Sequence, residues 1–286
     1  MNKDLKSKII NEIEQSGFPL ELHVTEILRE QNYVVFPNLT FRHTDQGMHE
    51  IDALAFLLSD EIEKKPWIGT VGINLIIECK KSKEKPWVFF DEVWDPSIGL
   101  GLGSQICAKS ELKYQKGYDV LAGCMNTALR AHHYNSTLPV ARTYFEAFKR
   151  DGKAEIFQGV SQVWYALAFW KRWFESSGVE DKSRKARSLM CLPIIVFDGQ
   201  LILARKRGKT FDAVEVNHLF LRTTDCLTTV QEPNLTTANE VIIDIVRFDY
   251  FQKYLQICQR NHKAFNKHLS QTDKTGWLER AAHART

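Results

Sequence analysis

Apolar residues recur at helical spacing near the start of the chain. Residues 1–16 form a mostly polar segment that ends at Gly17, and they predict a first helix. Pro19 then opens a second segment, in which apolar residues recur at i, i+4, i+7 and i+8. These residues are Leu20, Val24, Ile27 and Leu28. The spacing places them on one face, so the second helix is predicted to pack against a core.

Three runs with strand-forming residues follow these helices. They cover residues 33–41, 50–58 and 71–80, and the gaps between them are rich in Asp, Gly, Lys and Pro. The N-terminal third of the chain therefore predicts two helices and then a three-strand meander.

The pattern is less regular after residue 86. Gly99, Gly101 and Gly103 indicate a flexible stretch, and helices are predicted over residues 104–116 and 126–131. We interpret residues 91–155 as a helical insertion after the third strand. The surrounding core then comprises residues 17–90 and 156–270 of a single domain, 1–286.

Regular periodicity returns in the C-terminal half. A helix is predicted over residues 158–174, and strands over 190–197, 201–204, 214–221 and 241–247. Asp198-Gly199 between the first two strands predicts a hairpin turn. Asp249 is the predicted N-cap of a last helix that ends near Phe265. Helices at both ends of a central sheet predict a mixed α/β fold.

Composition narrows the class of protein. The 286 residues are 44% hydrophobic and 26% charged, with a net charge of +3, which excludes disordered, collagen-like and coiled-coil chains. The apolar runs are too short to cross a bilayer, and the first residues lack a signal peptide's apolar stretch, so no membrane partner is expected. Six cysteines without a Cys-x-x-Cys pair argue against a zinc site and favour the cytoplasm.

The candidate chemistry begins at Glu78 and Lys80. Both follow the apolar run that ends the third predicted strand, and alternation places them on one face with Ile77 and Cys79 on the other. Other acid-x-Lys triplets occur in this chain, but this copy alone ends a strongly apolar strand. A carboxylate and an ammonium so placed can hold a cation and orient a water molecule.

Asp52 lies in the second predicted strand, which we expect to pair with the third. A carboxylate in such an apolar run is unfavourable unless it is paired or binds a cation. If Asp52 lies opposite Glu78, their repulsion raises a pKa unless a cation intervenes. Mg²⁺ prefers such oxygen ligands. Glu21, at the start of the second helix, could add a further ligand, although a solvated acid at a helix N-terminus is nearly as good an interpretation.

This ordered set resembles the PD-(D/E)xK nuclease superfamily, which has the restriction-endonuclease-like fold. The resemblance rests on Gly17-Phe18-Pro19-Leu20-Glu21, on Glu50-Ile51-Asp52 and on Ile77-Glu78-Cys79-Lys80. It implies that Glu21, Asp52 and Glu78 bind Mg²⁺ (or Mn²⁺) and that Lys80 positions the attacking water. A glutamine on a later helix often touches the site in this family, and Gln162, or else Gln158, matches it. The Pro of the family's motif is replaced by Ile51.

The resemblance implies a metal-dependent nuclease that hydrolyses phosphodiester bonds, with DNA as the first expectation and a role in restriction or antiphage defence. A homo-oligomer or a neighbouring defence protein remain open as partners. The alternatives are a catalytically silent nucleic-acid-binding or scaffold protein of the same fold and an RNA-directed nuclease. Three basic stretches, near residues 80–85, 182–187 and 205–209, would suit phosphate contacts, but each is also compatible with a solvated loop.

Overall fold

The computed structural model describes residues 2–42, 47–57, 70–92, 106–109, 138–148, 155–176, 187–224 and 240–274. Along the chain, two helices precede five strands, and a third helix, four more strands and a last helix follow, which together form an α/β architecture. The helices are α1 (Lys3–Gln15), α2 (Phe18–Glu30), α3 (Glu155–Ser176) and α4 (Phe248–Lys274). The strands are β1 (Val34–Arg42), β2 (Met48–Leu57), β3 (Thr70–Asp91), β4 (Ile106–Lys109), β5 (Val140–Glu146), β6 (Arg187–Arg207), β7 (Thr210–Glu215), β8 (His218–Thr224) and β9 (Glu240–Arg247).

Two long strands form the centre of the mixed sheet. β3 and β6 have 22 and 21 residues and run parallel to each other. On its other edge, β3 pairs antiparallel with β2 along its first half and with β5 along its second half. The outer edge of β6 is shared by β4, β9 and β7, and β1 extends the sheet beyond β2.

The second half of the sheet closes on itself. β8 pairs with both β5 and β9, so the ladders form a ring in the order β3, β5, β8, β9 and β6. The first half stays open, with β1 and β2 beside β3. Such a closed ring removes exposed backbone edges where the strands join.

Helices cover both faces of the sheet. The apolar side chains of α2 and α4 pack with Leu75, Ile77 and Cys79 on one face. Those of α3 pack with Ile76 and Trp87 on the other. Because successive strand residues alternate between these two cores, β3 is buried on both sides, as its continuous apolar run requires.

Most predicted elements are confirmed, but the predicted hairpin at Asp198-Gly199 is wrong. β6 continues through these residues as one strand. Gly199 is needed for another reason: a Cβ there would lie 2.4 Å from the Ser82 carbonyl oxygen and 2.5 Å from the Phe197 ring. The tight turn lies instead at Gly208, where φ is +63° and β6 turns into β7.

Two further boundaries differ from the prediction. The strand predicted over residues 214–221 is two strands, β7 and β8, separated at residues 216–217. The last helix begins at Phe248, so Asp249 lies in its first turn rather than at its N-cap, and its carboxylate accepts a hydrogen bond from Arg247 at 2.6 Å.

Part of the segment predicted as an insertion belongs to the sheet. Residues 106–109 form β4, although a helix was predicted there, and residues 140–146 form β5. The glycine-rich stretch, the helix predicted over residues 126–131 and most of the remaining segment lie outside the described residues. The division of the single domain into a core and an insertion therefore stays a prediction. Among the helices of the described ranges, none is long and apolar enough to cross a membrane.

Candidate active site

The candidate site forms where β2 separates from β3. Their ladder ends at the pair Ala53 and Ile77, so the next residues, Asp52 and Glu78, stand where the two backbones part. The Asp52 carboxylate then takes the place of a ladder acceptor, because its Oδ2 accepts a hydrogen bond from the Cys79 amide at 2.6 Å. The separation of two strands thus places a carboxylate at the end of β3's apolar run.

The local fold of β2 is irregular at the same point. Regular alternation along a strand would place Ile51 on one face with Ala53 and Ala55, but Ile51 packs in the opposite core with Leu54. Asn38, on the neighbouring strand β1, has a positive φ of 49° between the paired residues Pro37 and Leu39. Because Ile51 and Ala53 pack on opposite faces of the sheet, the regular alternation of side chains along β2 is interrupted at Asp52.

Glu78 and Lys80 share a face of β3, as predicted. Their side chains form an ion pair in which Lys80 Nζ donates to Glu78 Oε1. The Glu78 side chain is only 1% exposed, whereas that of Lys80 is 19% exposed. Ile77 and Cys79 are buried in the core on the other face. The pair therefore connects a buried carboxylate to an ammonium that can reach solvent.

Helix α3 closes one side of the site. A Cβ at Gly159 would lie 3.4 Å from Cε and 3.5 Å from Cγ of Lys80, so the aliphatic stem of the lysine lies against the bare helix backbone. Gln162 is three residues further along α3, which places it on the same helical face, and it is half-buried. Gln158 is exposed. The helix therefore fits Gln162 better than Gln158 as the glutamine that the resemblance implies.

Glu21 approaches the site from the start of α2. Burial raises the pKa of Glu21, and the neighbouring charges of Asp52 and Glu50 raise it further, while Lys80 lowers it. These mutual effects place Glu21 in the same electrostatic neighbourhood as Asp52 and Lys80. Glu21 therefore lies within electrostatic range of Asp52, Glu78 and Lys80.

The carboxylates are strongly perturbed. Burial raises the pKa of Glu78 to about 8, with a further contribution from the negative charge of Asp52. Burial also raises the pKa of Asp52, although the Cys79 amide and Lys80 act in the opposite direction. Crowding of carboxylates in a dry site favours protonation or a bound cation.

Lys80 is held in its charged form. Burial alone would lower the pKa of Lys80, but the charges of Glu78 and Asp52 outweigh burial, and the net shift is upward. The ammonium is therefore the stable state at neutral pH. It can donate hydrogen bonds and stabilise negative charge, and it is a poor base while the carboxylates around it are ionised.

One atom of the site lacks a partner. Glu78 Oε2 is buried and forms no hydrogen bond within the described part of the chain. A buried carboxylate oxygen left without a donor is unfavourable by about 1–3 kcal/mol or more, so it is a natural place for a proton, a water or a cation. Three or more ligating side chains already arranged around one point are found nowhere in the described residues. Asp52 and Glu78, with Glu21 nearby, nevertheless fit the oxygen-rich ligand set of a hard divalent ion.

No family model, curated protein or solved structure matches this chain. The case for the site therefore rests on its own geometry.

Two site features had no clear signal in the sequence. In the sequence, nothing distinguishes Gly159 from any other glycine in a helix. Its role becomes visible only in the structure, where the aliphatic stem of Lys80 lies against it. The acceptor role of Asp52 toward the Cys79 amide depends on where β2 leaves β3, which alternation does not reveal. Glu50 was noted only as a neighbour of Asp52, but its exposed charge contributes to the raised pKa of both Asp52 and Glu21, after burial.

The secondary signals have mixed outcomes. Trp67, Trp87 and Trp94 flank the third predicted strand, where tryptophans could stack on bases. Trp87 is fully buried and stacks on Phe197 with ring centroids 4.0 Å apart, so it cannot do so. Arg205 and Arg207 pair with Asp91 and Asp212, which neutralises part of that basic stretch. Trp67, Trp94 and the lysines and arginine of residues 182–185 lie outside the described residues.

Proposed function

We propose that this protein is a divalent-metal-dependent nuclease with a restriction-endonuclease-like fold, acting in the cytoplasm. One observation supports the proposal above all others. Glu21, Asp52, Glu78 and Lys80, which are far apart in the sequence, share one partly dry site at the point where β2 leaves β3. A stabilising role alone does not explain a buried carboxylate with an unpartnered oxygen at that point.

Asp52 and Glu78 are the residues that would hold Mg²⁺ (or Mn²⁺), with Glu21 as a further ligand, direct or through water. When bound, the ion supplies Lewis-acid stabilisation of the phosphate and lowers the pKa of a coordinated water. The unpartnered Oε2 of Glu78 gives this ligand set an available buried oxygen. Because the pKa of Glu78 is about 8, its proton must leave before the carboxylate can serve.

Lys80 would act on the phosphate and the water. Its ammonium pairs with Glu78 at rest and is partly exposed, so it can donate hydrogen bonds to a bound phosphate oxygen or to the attacking water. The Gly159 backbone restricts the stem of the lysine, which limits the positions of Nζ. Such a preoriented charge stabilises the negative charge that builds up in the transition state.

The reaction is hydrolysis of a phosphodiester. The oxygen of water bonds to phosphorus, and the bond from phosphorus to one ester oxygen breaks. One hydrogen of the water stays on the new phosphate oxygen, and the other ends on the leaving alcohol. DNA is the substrate to test first, and RNA is the alternative for the same site. A role in restriction or antiphage defence, with a neighbouring defence protein as a partner, rests on the resemblance of the site residues alone.

The test is a cleavage assay on plasmid DNA, linear DNA and RNA with Mg²⁺ or Mn²⁺, compared with EDTA. Asp52→Asn retains an oxygen that can accept from the Cys79 amide, and Lys80→Met retains the aliphatic stem against Gly159. We expect each substitution to reduce the cleavage rate by at least about 100-fold.

A matched control changes Glu84→Gln and Lys85→Met, an acid and a lysine that are exposed on the same strand. These variants should cleave at the wild-type rate. Cleavage that survives Asp52→Asn and Lys80→Met would contradict the site assignment. Tight, metal-independent binding of nucleic acid without cutting would instead support a catalytically silent binding protein.

A further inference from the structure

Helix α1 exposes an apolar stripe. Leu5, Ile9, Ile10 and Ile13 are 51%, 42%, 43% and 53% exposed, and every α1 side chain that the structure describes is exposed. Leu5, Ile9 and Ile13 follow each other at i, i+4 and i+8, so they lie along one face of the helix. The stripe is therefore an apolar surface that the core formed by the described residues does not cover.

The described part of the chain buries little of this helix, since every α1 side chain that it describes is exposed. The helix has 13 residues, and isolated helices of this length are marginal in water because nucleation is costly. Helices in proteins gain most of their stability by packing an apolar face. The α1 stripe can supply that stability only when another surface covers it.

The charges of α1 are ordered against its own dipole. Lys6 and Lys8 lie in its first half, Glu12 and Glu14 lie in its second half, and its last turn has no basic residue. Acidic groups are favourable near a helix N-terminus and basic groups near the C-terminus, so this order weakens the helix on its own. Its local support comes from the first turn, where the Asn2 side chain accepts a hydrogen bond from the Asp4 amide at 3.1 Å and Asp4 forms an ion pair with Lys8 at 3.1 Å.

The same order suits an antiparallel partner with the same sequence. We propose that α1 pairs antiparallel with α1 of a second copy of this chain, centred near Ile10. Lys6 and Glu14 are equally distant from Ile10, as are Lys8 and Glu12, so each lysine of one copy meets a glutamate of the other. Two-fold symmetry repeats both pairs, and the two helix dipoles oppose each other favourably.

Charge argues against a lipid surface as the occupant. α1 contains Lys3, Lys6 and Lys8 against Asp4, Glu12 and Glu14, which gives 3 − 3 = 0. Helices that lie on anionic membranes carry an excess of basic residues on the polar face. A neutral helix with separated blocks of charge is instead complementary to its own reversed copy.

The pairing is connected to the strand that carries Lys80. Lys81 Nζ donates a hydrogen bond to the Glu14 carbonyl oxygen at 2.7 Å, which ties the end of α1 to β3. In an antiparallel pair centred on Ile10, the two Glu14 residues lie about 12 Å apart along the helix axes, because each is four residues from the centre. This inference does not depend on the proposed function, since it concerns self-association alone.

The test measures the mass of the full chain by light scattering and sedimentation over a range of concentrations, in reducing buffer. Wild type should reach twice the chain mass. The variant Lys6→Glu with Lys8→Glu, and the variant Glu12→Lys with Glu14→Lys, should each weaken dimerisation at least about 10-fold, because like charges then meet. An equimolar mixture of the two variants should dimerise again, and a chain carrying all four exchanges should behave as wild type.

A matched control makes the same charge change on α4, with Arg260→Glu and Lys263→Glu, both exposed. It should leave dimerisation unchanged, and circular dichroism should show that every variant is folded. A wild-type chain that stays monomeric to about 100 μM, or that binds anionic vesicles only as a monomer, would overturn the proposal.

Direction is tested by mixing Leu5→Cys and Ile13→Cys chains under mild oxidation. Antiparallel pairing gives the mixed disulfide, whereas disulfides between identical variants only would show parallel helices and overturn the antiparallel pair. Of the native cysteines, Cys79, Cys191 and Cys258 are buried and should not interfere.

Discussion

At the scale of single residues, the candidate site places ionisable groups where water is scarce. Glu78 is almost fully buried. Within the described ranges its side chain is bonded to Lys80, and its second oxygen has no hydrogen-bond partner there. Such a group makes the stability of the protein depend on pH.

The sequence was sufficient to select the four residues Glu21, Asp52, Glu78 and Lys80, because charged residues beside apolar runs are unusual. Their spacing in three dimensions could not be predicted, because it depends on the point where two strands part.

The raised pKa of Glu78 predicts how stability changes with pH when no divalent ion is present. The ordinary value of 4.5 applies to the unfolded chain, and burial raises the pKa of the folded carboxyl to about 8. Its contribution to stability is fully present below about pH 4.5 and is lost as pH rises toward 8. We therefore expect wild type to lose stability relative to Glu78→Gln over this interval, by an amount on the order of a few kcal/mol.

The measurement is denaturant unfolding in EDTA at a series of pH values, with Glu84→Gln as the exposed control. Only the difference between wild type and Glu78→Gln is informative, since other groups titrate in both. A constant difference from pH 5 to pH 8 would contradict the raised pKa.

At the scale of elements, the prediction succeeded where periodicity is long and failed where packing decides. The buried stripe Leu20, Val24 and Leu28 of α2 is confirmed, as is the alternation of Ile77 and Glu78 on β3. The prediction of a turn at Asp198-Gly199 was wrong because glycine is needed there for another reason. The backbone of Ser82, which is 117 residues earlier in the chain and lies on another strand, approaches Gly199 too closely for a side chain. No local pattern reports such a contact.

Gly199 gives a test of that explanation. A Cβ there would collide with the Ser82 carbonyl oxygen and the Phe197 ring, so β3 and β6 would have to separate locally. We expect Gly199→Ala to destabilise the protein by about 1–3 kcal/mol, measured as a shift of the denaturant midpoint.

Gly208 is the matched position, since it has a positive φ of 63° with open space around it. Gly208→Asn should be nearly neutral because asparagine tolerates this conformation. Equal effects at the two sites would show that backbone freedom, rather than close approach, decides the role of Gly199.

At the scale of the whole molecule, the sheet separates two apolar cores that share the same strands. Leu28 of α2 packs in one core and Leu167 of α3 packs in the other. Because β3 and β6 contribute side chains to both cores, a substitution that destabilises one core should also destabilise the other. The overall class, a mixed sheet between helices, was predictable from the order of elements, whereas the closed ring of five strands was not, since it depends on pairings between distant strands.

Leu28→Ala and Leu167→Ala test whether the two cores unfold together. Each should destabilise by about 2–5 kcal/mol and shift one common transition, followed by tryptophan fluorescence and by circular dichroism. Leu22→Ala, at a position 63% exposed on α2, should change stability by less than about 0.5 kcal/mol. Separate transitions for the two probes would indicate two folding units instead of one domain.

The hydrogen bond from the Cys79 amide to Asp52 has a consequence for reading related sequences. Because that carboxylate satisfies the backbone of a buried strand, it would be retained for structural reasons in a relative of this fold whether or not that relative had the nuclease activity proposed above. An aspartate at this position in a relative therefore does not distinguish an active lineage from a degenerate one. Lys80 is the better marker, since its main partner is Glu78, and the two can be lost together without leaving an amide unsatisfied.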